Sequence, residues 1–236
     1  MSNQHKVAVV TGASQGIGAG VVKALRERGW RVVATSRTIK PSDDPDLVTV
    51  AGDIGSAETA RRVVDAAIER FGRVDLLLNN AGIFIAKPFT QYTAADFDAK
   101  LSTNLAGFFH VTQAAVARMK RQGAGHVVSI TTSLVDHANS NVPSALASLT
   151  KGGLNAATKS LAIEYAKKGI RFNAISPGII RTPMHEVSTH EWLAALHPVG
   201  RIGEIQEIVD ALLYLDGADF VTGEILHVDG GQAAGH

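Results

Sequence analysis

KVAVVTGASQGIG, residues 6–18, sets a short apolar run directly before a turn that holds three glycines. The run 6–10 is apolar at every position after Lys6, the pattern of a strand covered on both faces. A helical pattern begins near 17 and runs to 28. Glycine fits a tight strand-to-helix turn, lets backbone approach a pyrophosphate, and permits close helix packing. The N-terminus of the following helix points free N–H groups and a partial positive charge at an anion. Gly12, Ser14, Gln15, Gly16, Ile17 and Gly18 are therefore candidates for a phosphate cradle. Their spacing is not G-x-G-x-x-G, so a plain turn stays open as the alternative. The position between strand and helix favours a ligand.

Outward from this turn, β-branched runs alternate with longer amphipathic stretches. Strands are expected at 6–10, 31–36, 47–52, 74–79, 126–131, 170–176 and 224–229, and helices near 17–28, 57–70, 94–121, 144–168 and 204–215. This order predicts an α/β fold: one Rossmann-type, doubly wound parallel sheet of about seven strands with helices on both faces. Residues just after each strand should line the site, because ligands in such sheets bind at the strands' carboxyl ends. No linker divides residues 1–236, which read as a single domain. The stretch 178–200 has weak periodicity, three histidines and Trp192, and is expected to be a mobile substrate loop over the site.

Composition narrows the partners. Lys and Arg number 23 against 22 Asp and Glu, with no run of five like charges, so a basic face for nucleic acid is not expected. The chain has no cysteine, which removes disulfides and thiolate chemistry, and no metal site is expected. The first residues offer only a four-residue apolar run, too short for a secretory leader, and no apolar stretch is long enough to span a bilayer. A soluble, cytoplasmic protein is expected.

The second strand ends in ATSRT. A carboxylate there would bind a ribose 2′-hydroxyl; Ser36 and Arg37 stand there instead. A guanidinium beside a small hydroxyl suits a 2′-phosphate, so NADP is favoured over NAD. A solvated surface arginine is the bland reading of Arg37.

With NNAG at 79–82 the chain resembles the short-chain dehydrogenase/reductase family over nearly its whole length. The markers run in order: TGASQGIG, GDI at 52–54, NNAG, NLAG at 104–107, SITTS at 129–133, TK at 150–151, SPGIIRTP at 176–183 and VTGEILHVDGG at 221–231. The resemblance implies that Asp53 and Ile54 hold adenine and that Asn80, Ala81 and Gly82 line the adenosine ribose. It also implies that Pro177, Gly178, Ile180 and Thr182 hold the nicotinamide end. Asp53 also reads as an Asx-turn residue, and Pro177-Gly178 as a plain turn.

The family's reaction centre is similar to a tetrad of asparagine, serine, tyrosine and, four residues on, lysine. Carried over, the asparagine is Asn104 and the lysine Lys151. The serine falls on Thr132, with Ser133 the competing alignment. The tyrosine position falls on Ala147. No shift repairs this, since Tyr92, Tyr165 and Tyr214 are followed four residues later by Asp96, Gly169 and Ala218.

Hydride delivered to a ketone leaves an alkoxide that needs a proton, and a positioned acid typically contributes about 10²–10⁴-fold. Ser144, Ala147, Ser148 and Lys151 share one helix face, where a water held by Lys151 and a serine is one substitute source. His137 is a second and His185 a third. Lys151 itself is expected to remain mainly a ligand of the nicotinamide ribose; a solvated lysine is the alternative.

The function expected is an NADP-dependent oxidoreductase acting on a small carbonyl or an activated double bond, with an atypical proton source. The alternative is a non-catalytic NADP(H)-binding sensor or partner subunit. Alanine- and leucine-rich helices at 94–121 and 144–168 permit close contacts, and the resemblance implies a homodimer or homotetramer.

Overall fold

The apolar run after Lys6 forms β1 (Val7–Thr11), buried at all five positions, and the glycine turn leads into α1 (Gly16–Glu27). The computed structural model describes residues 5–235; the first four residues of the expected domain, and His236 at the end of its C-terminal stretch, lie outside the described residues. The remaining strands are β2 (Arg31–Ser36), β3 (Leu47–Ala51), β4 (Leu76–Asn79), β5 (Gly125–Ile130), β6 (Ile170–Pro177) and β7 (Ile225–Val228). All pair in parallel in the order β3-β2-β1-β4-β5-β6-β7. The order reverses between β1 and β4, and a crevice opens there at the carboxyl ends of the strands.

Alternation along each strand explains the unbroken apolar runs. Ala8 and Val10 face one layer, with Val32, Leu78 and Ile130, under α1 and α7 (Ile205–Gly217). Val7 and Val9 face the other, with Val33, Leu77 and Val127, under α2 (Ala57–Phe71) and the helix that ends at Gln122. Both faces of the sheet are thus covered, and each fully buried valine or leucine contributes roughly 1.5–3 kcal/mol. Local signals set the helix ends. The Ser56 hydroxyl accepts from Thr59 N–H at the start of α2, and Gly72 ends it in the left-handed conformation.

The stretch expected as one helix over 94–121 is three pieces: α3 (Ala94–Lys100), a π-helical turn (Leu101–Ala106) and α4 (Gly107–Gln122). One wider turn shifts the phase of the side chains without ending the helical run, so the sequence pattern reads as a single helix. Such turns concentrate at functional positions, and this one carries Asn104. The next helix, α5 (Ala145–Tyr165), carries Ala147 and Lys151; α6 (His190–Ala194) is a short helix within the stretch 178–200.

Candidate active site

The turn after β1 is shaped by what its glycines lack. Gly12 and Gly16 have φ of 65° and 57°, values that disfavour side chains. A Cβ on Gly12 would lie 2.8 Å from Ala81 Cα, and one on Gly18 only 2.4 Å from the Gly12 carbonyl oxygen. Gly18 therefore packs α1 behind the turn, while Gly12, Ser14, Gln15, Gly16 and Ile17 line the crevice itself. Asn80 holds the turn from β4: its side-chain amide donates to the carbonyls of Thr11 at 2.9 Å and Gly12 at 3.1 Å. Thr11, which sequence reasoning missed, accepts the N–H groups of Asn80 and Ala81 at 3.0 Å each. This buried hydroxyl ties the two strand ends across the switch point.

One cavity of about 590 Å³ runs from this turn to Lys151. At its first end lie Ser36, the exposed Arg37, Asp53 and Ile54. The Asp53 carboxylate accepts from Gly55 N–H at 2.9 Å, so this residue both makes the Asx turn and faces the cavity. Ala81 and Gly82 form the middle. Pro177, Gly178, Ile180 and Thr182 line the far end with Thr132 and Lys151. This shape answers whether a dinucleotide fits. The side-chain-free turn at a helix N-terminus suits a pyrophosphate, and a basic residue stands at one end with an amine at the other. Among the described residues no group of three or more His, Cys, Asp or Glu could hold a metal ion.

Lys151 is fixed. Its ammonium donates to the Ile130 carbonyl at 2.6 Å, at the end of β5. A Cβ on Gly82 would sit 3.0 Å from that nitrogen and 3.4 Å from Asn104 Oδ1, so glycine at 82 leaves room for both groups. Burial, and secondarily the charge of Lys100, bring the Lys151 pKa down to about 8. Asn104 is buried behind the cavity wall. Its carbonyl accepts from Ile83 N–H at 3.0 Å, and its amide donates to the Ile83 carbonyl at 3.3 Å and to Thr150 Oγ1 at 3.2 Å. It clamps the 82–84 backbone to α5.

Thr132 and Ser133 both line the cavity, but their hydroxyls are held differently. Ser133 is fully buried and donates to Gln232 Oε1 at 2.5 Å. Thr132 is half-buried on the cavity wall, and its hydroxyl accepts only a long 3.4 Å contact from Leu134 N–H. Of the two hydroxyls, that of Thr132 is the less engaged within the protein.

Ala147 is 2% exposed and lines the cavity one helical turn before Lys151. The substitutes weighed for the proton do not all arrive there. Neither Ser144 nor Ser148 lines the cavity, and the Ser148 hydroxyl donates to the Leu134 carbonyl at 3.1 Å. His137 is also absent from the wall, whereas His185 is on it, its pKa lowered by burial and by His190. His137 follows the turn Ser133–Val135, and His185 lies in the stretch 178–200.

The stretch 178–200 closes the outer side, with Pro183, Met184, His185, Trp192 and Leu193 on the wall. His197 staples it: Nε2 accepts from Ile179 N–H at 2.9 Å, and Nδ1 lies 3.0 Å from the Leu193 carbonyl. Sequence reasoning also missed Phe84 and Val142 on the wall. The usable signal was position, since Phe84 follows the fourth strand.

A family model described as enoyl-(acyl carrier protein) reductase matches residues 12–233. L-xylulose reductase of Bos taurus is 35% identical over 239 residues, covering 96% of each chain. The solved structure titled "ElxO with NADP Bound" superposes with a TM-score of 0.91 at 26% identity, over 98% of this chain and 100% of that one. A 3-ketoacyl-(acyl-carrier-protein) reductase from Brucella melitensis complexed with NADH gives 0.88 at 28% identity, over 97% and 98%.

Proposed function

This chain belongs to the short-chain dehydrogenase/reductase family of oxidoreductases, and from that premise we propose that it transfers hydride between NADP and a small carbonyl or activated double bond. The observation that carries this is the single cavity with Arg37 and the glycine turn at one end and Thr132 and Lys151 at the other. When bound, the dinucleotide supplies or accepts the hydride.

The chain's own residues do the rest. The turn 12–17 and the N-terminus of α1 hold the pyrophosphate, with Gly18 and Asn80 keeping that turn in shape. Ser36 and Arg37 hold the 2′-phosphate; Asp53 and Ile54 flank the adenine, and Ala81 and Gly82 the ribose. Pro177, Gly178, Ile180 and Thr182 receive the nicotinamide end. Lys151 holds the second ribose, Thr132 polarises the substrate oxygen, and Asn104 keeps the intervening wall in place. The stretch 178–200, as a mobile loop, shuts out water.

A fluorescence titration with NADPH, followed by NADPH oxidation against ketones, enones and imines, tests this reading. The second reading, a non-catalytic NADP(H) sensor, is favoured by one observation: an alanine, which has no proton to give, stands at position 147. Tight NADPH binding without turnover on the whole panel would decide for it.

Arg37→Glu is expected to weaken NADPH binding about ten- to a hundredfold, the worth of a hydrogen bond to a charged group, and to leave NADH binding nearly unchanged. Equal losses for the two would overturn the choice of NADP. A cytoplasmic homo-oligomer belongs to the same proposal. Phe109 on α4 and Leu149 and Ile163 on α5 are exposed apolar side chains on the two helices expected to pair. Light scattering from the purified protein should then give twice or four times the 24.8 kDa of one chain, and a monomer would refute it.

Among the described residues no helix is long and apolar enough to cross a membrane.

A further inference from the structure

Lys100, the last residue of α3, has 0% of its surface exposed, and its ammonium has no hydrogen-bond partner among the described residues. Lysine is almost never buried in this way without a partner, because the charge loses its hydration with nothing in return. Its nearest compensation is the ring of Phe84, whose centroid lies 5.1 Å from the nitrogen. Phe84 itself lines the active-site cavity. Three consecutive residues thus link two amines: Gly82 abuts Lys151, Ile83 is clamped by Asn104, and Phe84 covers Lys100.

Among the described residues no ion pair within 4.0 Å is made by either lysine. Asp96, one turn earlier on α3, is held by Lys87 at 2.7 Å and by the Thr93 cap. Asp98 is exposed, the Tyr92 hydroxyl donates to the Ile85 carbonyl, and His185 stands across the cavity. His137 lies beyond the wall on the turn after β5, near the Asp136–His227 pair.

Resting on the reading above, we propose that Lys100 is a positioning residue: its unpaired, water-excluded charge behind Phe84 makes the Lys151 ammonium give up its proton more readily, so that Lys151 protonates the reduced substrate. In that step the substrate oxygen, left with an electron pair after hydride arrives at carbon, takes a proton. The N–H bond of Lys151 breaks as the O–H bond forms, and water returns the proton to the amine. A neighbouring cation is an established way to activate a lysine. Burial alone brings Lys100 down to about 8, and its charge is the second cause, after burial, of the same value at Lys151.

Lys100→Met tests this, with Lys100→Arg as the charge-retaining control and Lys100→Gln as the neutral comparison where methionine fails to fold. The first readout needs neither cofactor nor substrate: ¹⁵N NMR titration of the Lys151 amine. Lys100→Met should raise the Lys151 midpoint by about half a unit or more, and Lys100→Arg should not. An unchanged midpoint in Lys100→Met overturns the proposal. The second readout is the pH profile of ketone reduction. Its basic limb, where Lys151 loses the proton it must donate, should move to higher pH with that midpoint; a midpoint that moves while the limb stays put also overturns it. A shifted midpoint in a protein with no turnover on any substrate would keep the coupling and sink the oxidoreductase reading instead. Thermal stability gives a third readout. The buried charge costs the folded wild type most below pH 8, so the gain in Tm of Lys100→Met should be largest near pH 7 and shrink as pH rises.

Discussion

Lys151→Met is expected to lower kcat/KM for NADPH-dependent reduction by about 10²–10⁴-fold, the contribution typical of a positioned proton donor. Methionine keeps the length and fills the same channel along α5, so the loss isolates the ammonium from its packing. The hydrogen bond to the Ile130 carbonyl goes as well, leaving an acceptor at the end of β5 that the cavity's water can satisfy. NADPH affinity should fall too, by about tenfold or more, because a charged donor to the ribose hydroxyls is lost. Steady-state kinetics and a fluorescence titration separate the two effects. Unchanged kcat with weakened binding would make Lys151 a ligand only, and would refer proton transfer to His185.

The pH dependence gives the same prediction a sign. With its pKa near 8, Lys151 is protonated and competent as a donor below that value. Reduction by the wild type should therefore fall as pH rises through about 8, whereas a solvated lysine would keep its proton to about 10. The oxidative direction, which needs a proton acceptor, should rise through the same range.

Ala147→Tyr should raise the rate of ketone reduction at least tenfold. The substitution puts a phenol on the cavity wall one turn from Lys151, on a helix whose position is already fixed by Asn104, Thr150 and Ile130. A phenol beside an ammonium has its pKa lowered toward the working range, which is what a general acid needs. The 590 Å³ cavity offers the ring its space without moving backbone. A rate that stays flat, with NADPH binding intact, would show that the pocket is not merely short of an acid. It would favour a sensor, or an alkene substrate whose reduction makes less demand on a phenol here.

The two variants bear on different links of the chain from sequence to activity. Lys151 was legible because it sits in an ordered series of motifs, and the cavity then supplied its partners. Ala147 was legible only as an absence: the residue four before the lysine is not a tyrosine, whatever the fold does around it. What replaces the tyrosine was not legible. Ser148 has the right helical spacing, but its hydroxyl is spent on the Leu134 carbonyl. His137 follows the right strand, yet it is not among the residues that line the cavity. Helical periodicity says which residues share a face; it is silent on which acceptor lies opposite that face.

The sequence by itself determined the strand–glycine turn–helix opening, the seven parallel strands and the basic end of the second strand. These rest on interactions within a few residues: side-chain alternation, hydrogen bonds at helix ends, and the φ that only glycine adopts freely. Tertiary structure alone decided that the Ser133 hydroxyl is spent on Gln232 while that of Thr132 is not, that Asn104 rides on a π-helical turn, and that Lys100 is buried behind Phe84 without a counter-ion among the described residues. Each of those depends on what a segment far away in the chain brings to the same point. Water exclusion, the quantity that sets the behaviour of both lysines, is a property of the assembled layers and of no single stretch.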